Sequence, residues 1–85
     1  GIPLKMNIKI PKKNEAFILI KKRKISLNNY YYLSEKNNLN EAAKNLYSCL
    51  RRIKNDGYKS IAIVKIPNKG IGKVINDRLN RASNY

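Results

Sequence analysis

Two kinds of hydrophobic spacing alternate along this chain. Ala16-Phe-Ile-Leu-Ile20 and Ile61-Ala-Ile-Val64 are unbroken apolar runs, the pattern of strands covered on both faces, as in a parallel sheet. Tyr30-Tyr-Tyr-Leu33 is a further strand candidate. Its tyrosines alternate across a strand, so they cannot form one stacking platform, and at least one face belongs to the core. Between these runs the spacing changes to the helical period. Leu39, Ala42, Ala43, Leu46, Leu50 and Ile53 form one stripe bordered by Tyr47 and Cys49. Asn38 is the N-cap candidate, with Glu41 at N3, close to a capping box. Arg51, Arg52 and Lys54 suit the negative end of the helix dipole, and Gly57 suits the C′ position.

The last third repeats the alternation. Ser60 to Ile66 reads as a strand, Pro67-Asn-Lys-Gly-Ile-Gly72 as a tight turn, and Lys73 to Ala82 as a helix. Pro67 lacks an N–H and ends the ladder, while Gly70 and Gly72 permit a sharp entry into the helix. The helical spacing buries Ile71, Val74, Ile75, Leu79 and Ala82. Asp77 and Arg81, at i and i+4, are placed to pair for ~0.3–0.5 kcal/mol. Gly1 to Asn14 is irregular, broken by Pro3 and Pro11. Leu4, Met6, Ile8 and Ile10 alternate with polar residues and allow a short edge strand.

The order strand, strand, helix, strand, helix makes this an α/β chain with two main helices. It forms one domain over residues 1–85, three-layered or half-covered. The Lys21–Asn29 connection is short for a parallel crossover, so the first two strands form either an antiparallel hairpin or a parallel pair joined by an extended segment.

Composition narrows the chemistry. At 85 residues the chain buries roughly 60–65% of its surface on folding. No apolar run approaches the ~20 residues of a membrane span, and no signal peptide is visible, so a cytoplasmic location is expected. There is no histidine, which removes most metal and triad chemistry. The single cysteine, Cys49, sits among core positions and reads as a small buried hydrophobe.

Charge is extreme: 19 Lys and Arg against 5 Asp and Glu, a net +14. One interpretation is a polyanion partner such as RNA. The other is codon bias, because Lys, Asn, Ile and Tyr rise together as in an AT-rich genome. Phosphate-fork chemistry would favour arginine. Two places concentrate the charge. Lys21, Lys22, Arg23 and Lys24 form a basic patch, read either as a solvated strand end that discourages edge pairing or as a phosphate contact. Lys69, Gly70, Gly72 and Lys73 form a candidate anion site, where a glycine turn would present N–H groups at a helix start. The competing interpretation is a turn shaped only by geometry, since the third glycine of a dinucleotide fingerprint is missing.

Ile-Pro-Asn-Lys-Gly-Ile-Gly-Lys-Val-Ile-Asn-Asp-Arg-Leu-Asn-Arg-Ala, from Ile66 to Ala82, resembles the C-terminal signature of the two-domain threonylcarbamoyl-AMP synthases. Those chains end in Gly-x-Gly-x-x-Ile-Asn-Asp-Arg-Leu-x-Arg-Ala. Leu39 to Gly57 resembles the family helix Ala-x-Asn-Leu-Phe/Tyr-x-x-Leu-Arg-x-Leu-Asp-x-x-Gly. Pro3-Leu4-Lys5 resembles the segment after the interdomain linker. The resemblance implies a small Rossmann-like accessory domain with a mostly parallel three- or four-stranded sheet and no cofactor of its own. In the family, ATP, threonine and bicarbonate meet in an N-terminal catalytic domain, whose product serves tRNA modification. No segment here resembles that domain or the Tyr-Ala-Pro linker. The expectation is therefore an isolated C-terminal piece, with Gly1 a remnant of a tag. Its expected partner is the missing catalytic domain, on which it packs to position the linker, and tRNA is a further candidate. The alternative is a free-standing small basic RNA-binding protein. A minimal nucleotide-processing domain fits poorly, with so few acids to hold Mg²⁺.

Overall fold

The computed structural model describes residues 2–83. The elements run β1 (Leu4–Lys5), β2 (Ala16–Leu19), β3 (Tyr30–Tyr32), α1 (Leu39–Asn55), β4 (Ile61–Ile63) and α2 (Ile71–Ser83). The strands form one sheet in the order β1-β4-β2-β3, and each neighbouring pair is parallel. The two continuous apolar runs occupy the centre. Ala16 pairs with Ile61 and Ile18 with Ile63, and every residue of β2 and β4 is buried. A strand covered on both faces needs no polar alternation, which is why these runs are unbroken.

Both helices lie on one face. Ala16, Ile18, Ile61 and Ile63 point into a core shared with Leu46 and Ile53 of α1 and Ile75 and Leu79 of α2. Phe17, Leu19 and Ala62 point the other way and form a smaller cluster with Ile8, Tyr30, Tyr32 and Val64. Among the described residues no helix covers that side. The 20–29 connection crosses it, with the Arg23 guanidinium 5.6 Å from the Phe17 ring centroid and Tyr32 Oη donating to Ser26 Oγ at 2.8 Å. The domain is therefore half-covered by helices and not three-layered.

This route settles the strand pairing that sequence left open. β2 and β3 are parallel, in the register Phe17 with Tyr30 and Leu19 with Tyr32. The strands are so short that an extended segment, at ~3.3–3.6 Å per residue, spans the return without a helix. From β2 to β3 the chain crosses on the helix-free face. From β3 to β4 it crosses back on the helical face through α1. Reversing both direction and face keeps one hand of crossover.

α1 begins and ends where its caps dictate. Asn38 accepts from the N–H groups of Asn40 and Glu41 at 2.8 and 3.1 Å. The capping box is not closed by Glu41, because the Asn38 N–H donates instead to Ser34 Oγ at 3.0 Å. At the far end Gly57 has φ +90. Its N–H donates to Lys54 O and that of Tyr58 to Ile53 O, which is a Schellman motif.

Three expectations need correction. α2 starts at Ile71, so Gly72 lies inside its first turn. Ile71 and Val74 are 38% and 40% exposed, while Ile75 and Leu79 of the same helix are fully buried. Asp77 and Arg81 do not pair. Among the described residues the ion pair is Lys5–Glu15, and Arg78 Nη1 donates across to Ala43 O at 3.3 Å, tying α2 to α1.

Candidate functional site

In an open parallel sheet, crevices form beyond the carboxyl ends of strands whose outgoing chains leave to opposite faces. Here β2 hands over to the helix-free face and its neighbour β4 hands over to α2. Between them lies a shallow cleft of about 410 Å³ lined by Leu19, Lys21, Lys22, Arg23, Asn37 and Val64. β1 and β4 diverge in the same way. Their cleft, of about 370 Å³, is lined by Asn7, Lys65, Asn68, Asn76 and their neighbours. Asn7 and Asn37 hold φ of 59 and 57, and Gly70 has φ 59, so this edge is built from left-handed corners that asparagine and glycine tolerate best.

The two basic groups singled out in the sequence follow neighbouring strands and so leave the same edge of the sheet. Lys21, Lys22, Arg23 and Lys24 are all exposed, although the guanidinium of Arg23 is committed to the Phe17 ring. In the glycine turn, Lys69, Gly70 and Lys73 are exposed, and the Lys73 N–H donates to Gly70 O at 3.2 Å. Gly72 is buried. A Cβ there would meet Pro67 O at 1.9 Å, so this glycine is required by the close approach of turn and helix. Asn76 Nδ2 donates to Ile66 O at 3.0 Å and fixes the same junction.

At the opposite, amino edge lies a polar knot not singled out from sequence. Glu15 is 4% exposed. Its Oε1 accepts from the Lys12 N–H at 3.0 Å. Its Oε2 accepts from Ser60 Oγ at 2.7 Å and lies 3.2 Å from Lys5 Nζ. Asn29 Nδ2 donates to Glu15 O at 2.8 Å. The Lys12 N–H and the Ser60 hydroxyl, joined by Lys5, hold the carboxyl down at about 2 against the opposing effect of burial. The one available signal was position: Glu15 is the only acid before Glu35 and immediately precedes an apolar run.

Tyr31 and Cys49 are occupied or enclosed as well. Tyr31 Oη donates to Asp56 Oδ2 at 2.5 Å, and Arg52 lies over its ring at 5.2 Å. Burial, reinforced by Asp56, raises the phenol above its ordinary range. Burial also pushes the Cys49 thiol up to about 11, far from thiolate chemistry at neutral pH. Among the described residues no group of His, Cys, Asp and Glu is placed to hold a metal, and no helix is long and apolar enough to cross a membrane.

Comparison with curated proteins and with solved structures gives no match. A family model does match: threonylcarbamoyl-AMP synthase, C-terminal domain, over residues 4–84. That span includes the glycine turn, both helices and all four strands. The chain therefore belongs to the family of threonylcarbamoyl-AMP synthase C-terminal domains.

Proposed function

We propose that this chain does no chemistry of its own and serves as the accessory domain of a threonylcarbamoyl-AMP synthase. The chemistry joins threonine, bicarbonate and ATP in the preceding catalytic domain, and the product feeds tRNA modification. The accessory domain packs on that catalytic domain and positions the linker between the two.

The observation that carries this proposal is the pairing of the family match with polar groups that are already committed. Glu15 is saturated by three donors, Asp56 is held by Tyr31, and Cys49 is buried. A catalytic group has to reach substrate, which the buried Glu15 and Cys49 do not, and Oδ2 of the surface residue Asp56 is taken by Tyr31. The free-standing RNA-binding alternative is less well supported. Its cations are mainly lysines, and the arginine of the basic patch is stacked on Phe17.

The test compares the synthase with and without this domain. Removing the domain should slow threonylcarbamoyl-AMP formation while leaving ATP affinity of the catalytic domain nearly unchanged. Equal rates for the two proteins would overturn the accessory role.

A further inference from the structure

The helix-free face carries a feature that folding alone does not explain. Ile10, Ile25 and Leu27 are 84%, 75% and 56% exposed. All three stand on the two segments that cover this face. Ile8 packs on the Phe17 cluster, and its N–H donates to Ile63 O at 2.8 Å. Arg23 and Ser26 bind Phe17 and Tyr32 from the second segment. The frame is thus tied down while the aliphatic side chains project from it. Leaving them in water forgoes the favourable burial of their apolar surface.

Their neighbours are cationic. Lys9, Lys12 and Lys13 flank Ile10, and Lys21, Lys22 and Lys24 precede Ile25, all exposed. Neither segment contains an acid between residues 6 and 14 or between 20 and 29. A fitting partner must offer apolar sockets and carboxylates together. A second copy of this chain is disfavoured by charge, since each copy carries +14. An RNA backbone would engage the lysines and leave the aliphatic groups unmatched. A protein surface with acidic and apolar patches satisfies both, with the lysines steering association and the aliphatic groups providing burial.

We propose that the helix-free face, through Ile10, Ile25 and Leu27 and their flanking lysines, is the surface that docks on an acidic, apolar-pitted face of the synthase's catalytic domain. This rests on the accessory-domain assignment above.

The experiment titrates the labelled chain with the separately produced N-terminal domain of the same synthase and follows backbone amide resonances. Shifts should concentrate in residues 8–13 and 21–28. The triple variant I10S/I25S/L27S should bind at least about tenfold more weakly with an unchanged melting temperature, and affinity should fall as salt rises. Binding that maps to another face, with the triple variant unimpaired, overturns the docking surface and leaves the accessory role standing. Absence of binding to the N-terminal domain, with the same residues shifting on addition of tRNA or phosphatidylserine vesicles, overturns both. Absence of binding to any of these probes also overturns the docking surface.

Discussion

Glu15 is a buried carboxylate held by donors that the fold brings together. Its partners, Lys5, Lys12 and Ser60, come from three separate segments, and the Ser60 bond closes over 45 residues. No local pattern announces such a knot. Its carboxyl sits at about 2, below the ordinary 4.5. A depressed carboxyl stabilises the fold above the unfolded-state value and loses that contribution as pH falls through the folded value. Melting temperature should therefore drop between about pH 4.5 and pH 2. Glu15→Gln should be less stable at pH 7, by about 1–3 kcal/mol, and should flatten that part of the profile. An unchanged acid limb in the variant would show that Glu15 is not the group responsible.

The glycine turn gives a paired test at the same scale. An alanine in a helix is ordinarily favoured over glycine by ~1 kcal/mol. At Gly72 the sign should reverse, because the new Cβ overlaps Pro67 O, and Gly72→Ala should cost at least about 3 kcal/mol. At Gly70 nothing lies within 4 Å of a Cβ and only the positive φ opposes it, so Gly70→Ala should cost about 1–2 kcal/mol. Urea unfolding of the two variants separates close packing from backbone conformation. The sequence flagged both glycines but not their different jobs, because a close approach depends on which backbone atom faces the missing side chain.

Among the elements, α1 was the most legible. Its stripe, its Asn38 cap and its Gly57 terminus follow rules that act within a few residues, and the structure places all three as the spacing implied. Leu46 lies at the centre of that stripe with no exposure. Leu46→Ala should cost about 2–5 kcal/mol, enough to unfold much of a domain this small, and thermal melting by circular dichroism reads it directly. Asn38→Ala should cost about 1 kcal/mol by the same measurement. The start and outer face of α2 were less legible. Ile71 and Val74 satisfy the helical period, yet the helix rests on the sheet through Ile75 and Leu79, and periodicity does not fix how wide a contact the neighbouring layer provides. β1 was legible only as a possible edge strand, since two residues carry almost no alternation.

For the molecule as a whole, the unbroken apolar runs pointed to a parallel sheet, and the family resemblance pointed the same way. The order β1-β4-β2-β3 did not follow from local pattern, because it depends on which face each connection crosses. The same crossing brings the basic patch and the glycine turn to one edge and leaves the opposite face to loops. The extreme charge was plain in the sequence, but the exposure of Ile10, Ile25 and Leu27 beside it was not. The proposed accessory role requires that this domain have no synthase activity of its own. The direct measurement is production of threonylcarbamoyl-AMP by the purified chain alone, supplied with ATP, threonine and bicarbonate. The expected result is no product above the protein-free control. Product that scales with the amount of chain and persists through further purification would contradict it.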